Sequence, residues 1–190
     1  SYGINMDILG CVVEVISKMT FDEYLQKNIF DPLNLNSIGF TVKKKDSKSF
    51  TTLYTSGAYS RDGELVAASG LNRSELMFSK ELRAIDSFDN SPYLTESSNL
   101  YDGGSGLVSN IDDYSRFAEM LLNGGVLEGV RILSKASVDL MTRNHLADEI
   151  LKEGAAFGLN GIGFGLTVGV VIDSGLAGSY SSDNLSLIHI

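Results

Sequence analysis

The chain begins SYGINMDILG, which sets a phenol, Tyr2, directly ahead of a strongly apolar helical run. A tyrosine in that place is either a packing residue at the helix start or a proton-transfer group presented there. Other residues able to do chemistry are sparse. The two histidines, His145 and His189, leave no His-x-x-x-His pair for zinc, and a Ser-His-Asp triad built on His145 has no supporting motif. Gly103-Gly104-Ser105-Gly106 is followed by Leu107, so the nucleophile elbow G-x-S-x-G is not met and Ser105 reads as a turn residue. Asp112 and Asp113 are adjacent acids at a helix start, where capping and the helix dipole explain them better than paired-acid glycoside hydrolysis. Gly161-Ile-Gly163-Phe-Gly165 lacks the third glycine of G-x-G-x-x-G and its strand-turn-helix setting, so it reads as strand glycine.

The elements that must position these residues follow from periodicity. Ile8, Leu9, Val12, Val13 and Ile16 recur at the spacing of one buried helical face over residues 5 to 18, with Asn5 or Asp7 as caps. Thr20-Phe-Asp-Glu23 has the form of a capping box and opens a second helix that stops before Pro32. Residues 38 to 70 turn to short β-rich runs, with Thr52-Leu-Tyr-Thr and Glu64-Leu-Val-Ala joined as a hairpin at Arg61-Asp-Gly63. Residues 71 to 102 are polar and weakly periodic, as a long surface excursion is. Ser109-Asn-Ile-Asp112 starts a further helix whose apolar face is Ile111, Tyr114, Phe117, Ala118, Leu121 and Leu122, ended by Gly124-Gly125. A small hairpin about Glu128-Gly129 comes next, then a helix capped by Ser134 and running to about Asn144. GIGFGLTVGVVID reads as a core strand approached closely by another backbone. Helices and strands mixed without a repeat or a linker give an α+β architecture, taken as one unit.

Composition narrows the function. The 190 residues, 43% of them hydrophobic, are enough for a globular core. Fifteen basic against 24 acidic residues give a formal charge of −9, which argues against nucleic acid and anionic membranes as partners. Lys43, Lys44, Lys45 and Lys48 read as a solvated loop. The single Cys11 excludes an internal disulfide and reads as a small core residue. No apolar run reaches the roughly 18 residues of a transmembrane helix.

Two segments carry a resemblance. YGINMDILGCVVEVISKMTFDEYLQKNIFDPLNLNSIGF is similar to the stretch of the serine β-lactamase-like family that starts with its tyrosine motif; the family takes in class C β-lactamases, related esterases and D-amino-acid-processing peptidases. GGSGLVSNIDDYSRFAEMLLNGGVLEGVRILSKASVDLMTRNHL resembles the family's next segment, in the same order. The resemblance implies a β-lactamase/transpeptidase-like fold, helices packed on an antiparallel sheet. It also implies attack of an S-x-x-K serine on an acyl group, with a tyrosine of a Y-x-N or relaxed Y-x-x motif moving the protons. Tyr2 matches that tyrosine, so the resemblance makes it the catalytic candidate. Ile4 stands where Y-x-N has asparagine and Asn5 is one place too far, which favours the esterase-like branches over classical β-lactamases. Tyr54-Thr-Ser and Tyr180-Ser-Ser are weaker competitors without the flanking helix pattern.

The chemistry fits the residue type. A free phenol with pKa about 10 is a poor base at neutral pH. A lysine ammonium beside it favours the phenolate, which then takes the serine proton and returns it to the leaving group. The acyl-enzyme divides one hard hydrolysis into two easier steps.

The remaining motifs of that machinery are not in this sequence. No lysine has a serine three places earlier, the nearest pattern being Thr41-Val-Lys-Lys44, and K-T-G, H-x-G and tryptophan are all missing. The family's order places the serine upstream of Ser1 and the third motif downstream of about residue 180, so residues 1–184 read as a partial domain, an internal fragment that is incomplete. Leu185 to Ile190, LSLIHI, resemble translated adapter sequence and are set aside as a non-native tail. The resemblance further implies no cofactor and no metal, a small acyl substrate (ester, β-lactam or peptide) as partner, and a periplasmic or secreted parent. The alternatives are a non-catalytic relative whose cleft binds a peptide, lipid or cell-wall ligand, and an unrelated α+β interaction protein.

Overall fold

The computed structural model describes residues 4–42, 46–55, 58–59, 77–78, 83–86, 101–152, 160–178 and 186–188. They belong to two compact units, Ser1–Ile38 with Tyr101–Ser105 and Ser109–Ile190, and Gly39–Leu100 with Gly106–Val108.

In the first unit, helix α1 spans Asn5–Ser17 and ends where Lys18 turns left-handed and returns its N–H to the Glu14 carbonyl at 2.8 Å. Neither expected cap is used. Ile4 occupies the cap position without a side-chain bond, and Asn5 is already helical. The apolar stripe also departs from expectation. Ile8, Leu9, Val12 and Ile16 are exposed, Ile16 by 77%, and Gly10 is the one buried residue of the helix. Cys11, expected in the core, is an exposed free thiol. Periodicity reports which residues share a face; whether that face is covered depends on what packs there.

Helix α2, Phe21–Leu25, forms as the capping box predicts, with Glu23 Oε2 accepting the Thr20 N–H at 3.1 Å. Glu14 of α1 accepts the Phe21 N–H at 2.8 Å and ties the two helices. α2 widens into a π turn over Gln26–Phe30, where the Asp31 N–H reaches back five residues to Gln26, and Pro32 then forbids continuation. Leu25, Phe30, Leu33 and Leu35 are buried.

Helix α3, Ile111–Leu122, starts at Asn110, whose Oδ1 accepts the Asp113 N–H at 2.8 Å; the cap sits one residue later than the Ser109 reading. Met120 is fully buried, whereas Ile111 and Leu122, both expected on the apolar face, are exposed. Arg116 locks the helix to its surroundings by donating from Nε and Nη2 to the Leu33 carbonyl, at 3.2 and 3.1 Å, and pairing with Glu128 at 2.9 Å. The hydrogen bond and charge of Arg116 hold the Glu128 carboxyl below its usual range.

Glu128-Gly129 makes the expected hairpin, both residues at positive φ, between β5 (Val126–Leu127) and β6 (Val130–Arg131). Ser134 caps α4, Lys135–Met141, accepting the Ser137 N–H at 3.0 Å. After α5, Asp148–Lys152, the glycine-rich run forms two strands where the sequence suggested one. β7 (Ile162–Phe164) pairs antiparallel with β8 (Val168–Val171), and Val168, Val170 and Val171 are buried. The expected close approach is real: a Cβ on Gly165 would lie 2.0 Å from the Met141 carbonyl oxygen. α6, Ser174–Ala177, follows, and β9 (Ser186–Ile188) adds to β8 through backbone groups that any sequence supplies.

In the second unit, β1 (Leu53–Thr55) pairs antiparallel with β4 (Arg83–Asp86), and β2 (Ala58–Tyr59) with β3 (Met77–Phe78). A bridge joins Gly39 to Val108. The predicted partner of β1, Glu64-Leu-Val-Ala, and its turn lie outside the described residues, as do Lys43 to Lys45. β1 pairs with a strand from the stretch read as a surface excursion, because a local hairpin rule cannot see a partner some 30 residues away.

Candidate functional site

Tyr2 lies outside the described residues, which begin at Ile4. The first turn of α1, which follows it, and the loop Tyr101–Ser105 are described, and they meet. Gly103 runs backbone to backbone against α1: a Cβ there would lie 2.0 Å from the Met6 carbonyl oxygen and 2.7 Å from its carbon. Only glycine allows that approach. On the helix side Gly10 does the same, since a Cβ on it would lie 3.6 Å from the Gly103 N and Cα. The Gly104 N–H donates to Asp7 Oδ1 at 2.9 Å. Asp7, expected to cap its own helix, spends its carboxylate on this loop.

Tyr101, at the start of the loop, is a second phenol near α1 and α2 and has the wrong surroundings for a base. Burial pushes its pKa above the ordinary value, and the Asp22 charge, an Asp22 hydrogen bond, Glu23 and Glu14 push it further up. Acids around a phenol suppress the phenolate that proton abstraction requires.

The remaining sequence candidates have structural places. Asp113 Oδ2 accepts the Ser37 N–H at 2.6 Å, which makes that buried carboxylate a tie between α3 and the Ser37 backbone. Asp112 is exposed in the first turn of α3. His145 takes its backbone N–H to the Phe164 carbonyl at 2.8 Å and sets Nε2 2.9 Å from the Leu140 carbonyl, joining the end of α4 to β7. Its neighbour Asn144, which sequence reasoning passed over, accepts the Phe164 N–H at 3.1 Å. Ser105 is exposed in the loop, and Tyr54 is exposed on β1. Tyr180 and His189 lie outside the described residues. Among the described residues no three His, Cys, Asp or Glu side chains converge to hold a metal, and no helix is long and apolar enough to cross a membrane.

A tyrosine ahead of a helix whose first turn is gripped by a glycine loop, with helices and small antiparallel sheets behind it, matches one family. The sequence model described as Beta-lactamase fits residues 2–184, and the chain belongs to the β-lactamase family. Protein Rv1367c of Mycobacterium tuberculosis is 31% identical over 176 residues, covering 91% of this chain and 38% of that protein. Acyltransferase mokF of Monascus pilosus is 25% identical over 140 residues, covering 74% of this chain and 28% of that protein. Among solved structures, EstCE1, a hydrolase with promiscuous acyltransferase activity, superposes with a TM-score of 0.64 at 22% identity, covering 96% of this chain and 43% of that one. The fold is therefore β-lactamase/transpeptidase-like and incomplete, spanning well under half of these relatives.

Proposed function

We propose that the chain is part of a serine hydrolase that cleaves an ester or amide through an acyl-serine, with Tyr2 as its general acid and base. The observation that carries this reading is the family match, which begins at Tyr2 and runs through both segments to residue 184. In the mechanism Tyr2 accepts the serine proton during attack and returns it to the departing alcohol or amine; water then discharges the acyl group. The nucleophile and the lysine that favours the phenolate belong to the longer parent, since no S-x-x-K occurs in these 190 residues. The names of EstCE1 and mokF add an acyl acceptor other than water as a variation on the second step. Ester-type substrates are favoured over β-lactams because Ile4 replaces the asparagine of Y-x-N.

The missing S-x-x-K also favours a second reading, a relative that binds a ligand in the same fold without turning it over. Labelling of the parent protein with a fluorophosphonate separates the two. The hydrolase reading expects stoichiometric labelling of one serine; a folded parent that stays unlabelled sinks it and leaves the binder.

A further inference from the structure

Asp7 stands outside the proposed chemistry, yet it is the polar side chain that α1 offers to the loop Tyr101–Ser105. Three observations converge on it. Ile4 caps α1 without a side-chain bond, so the helix start has no internal fastening. The Asp7 carboxylate accepts the Gly104 N–H at 2.9 Å across 97 residues of sequence, a charge-assisted bond and so one of the stronger kind. Gly103 lies so close to the Met6 carbonyl that any side chain would collide with it at 2.0 Å. The loop thus grips two successive residues of the first turn, Met6 through its backbone and Asp7 through its side chain.

We infer that Asp7, with Gly103 and Gly104, forms a clasp that orients the lead-in to α1 and through it the hydroxyl of Tyr2. Asp7 is a positioning residue that touches no reacting atom. The inference rests on the catalytic reading of Tyr2. A proton-transfer group must be held within a fraction of an ångström of its working geometry, and a displacement of about 1 Å lowers turnover on the order of 10²-fold. Four residues separate Tyr2 from Asp7, too few to absorb a shift of the first turn.

The test reads Tyr2 in this chain directly. With 3-fluorotyrosine in place of all eight tyrosines, the Tyr2 fluorine resonance is assigned by its loss in Tyr2→Phe. The native chain should show it displaced from the unstructured position. Asp7→Ala should move it to that position and leave the other seven tyrosines in place. Asp7→Asn, which keeps an oxygen acceptor, should restore it. A Tyr2 resonance that ignores Asp7→Ala, or that is already unstructured in the native chain, overturns the clasp. If Asp7→Ala disturbs every tyrosine, Asp7→Glu replaces it under the same criterion, because it keeps the charge and misplaces the acceptor by one methylene. This readout needs no turnover, so it is separate from fluorophosphonate labelling: a labelled parent with an indifferent Tyr2 refutes the clasp alone, and an unlabelled parent refutes the hydrolase reading alone.

Discussion

Helices α1 and α3 look alike as sequence, each an apolar stripe at helical spacing, and the structure uses them in opposite ways. α3 buries Met120 completely, ties Asp113 to the Ser37 backbone and fastens Arg116 to the Leu33 carbonyl and Glu128. α1 leaves Ile8, Leu9, Val12 and Ile16 exposed and is held at Gly10, at the Gly103 contact with Met6 and at Asp7. One helix is fixed by its side-chain face, the other by close backbone contact and one carboxylate. Stability and position are therefore located differently in the two, and substitutions should separate them.

The largest effect on folding belongs to α3. Met120→Ala removes a fully buried side chain and should cost about 2–5 kcal/mol in denaturant unfolding. A loss under about 1 kcal/mol would mean that the α3 core is not what holds the unit. Next comes Gly103→Ala, whose methyl meets the Met6 carbonyl at 2.0 Å and should cost roughly 1–3 kcal/mol as backbone is forced apart. If it melts like the native chain, the grip on α1 is loose. Ile16→Lys belongs at the bottom of this scale. On a residue 77% exposed it should stay within about 0.5 kcal/mol of native, despite removing an apolar residue from the stripe.

Acid sharpens the α3 side of the comparison. Arg116 holds the Glu128 carboxyl below its ordinary range, so the folded state binds that proton less readily than the unfolded chain. The stability it contributes is present above the ordinary glutamate pKa and is lost as pH falls through the lowered folded value. The difference in melting temperature between native and Glu128→Gln should accordingly shrink to nothing in acid, and the effect is small because the pair is exposed.

Much of this was legible in the sequence, for local reasons. Thr20-x-x-Glu23, Ser134 and Glu128-Gly129 act within four residues of themselves, and each forms where the spacing placed it. Failures came where the partner is distant. β1 pairs with β4 across some 30 residues, Cys11 and the α1 stripe stay exposed, and Asp7 reaches Gly104 instead of its own helix end. The doubled glycine at 103 and 104 was a visible signal. It was tested only as a nucleophile elbow, when its meaning was close backbone approach. Tyr2 was legible through the order of two family-like segments, since no physical property of one tyrosine distinguishes it from a packing residue.

The central claim is that Tyr2 moves protons. It is tested most directly by steady-state ester hydrolysis in the parent protein, comparing native with Tyr2→Phe and recording the melting temperature of each. A fall in kcat of about 10²–10⁴-fold with an unchanged melting temperature is the predicted result. Undiminished kcat in Tyr2→Phe, or a loss of activity that merely tracks a lowered melting temperature, would contradict it and return Tyr2 to a packing role.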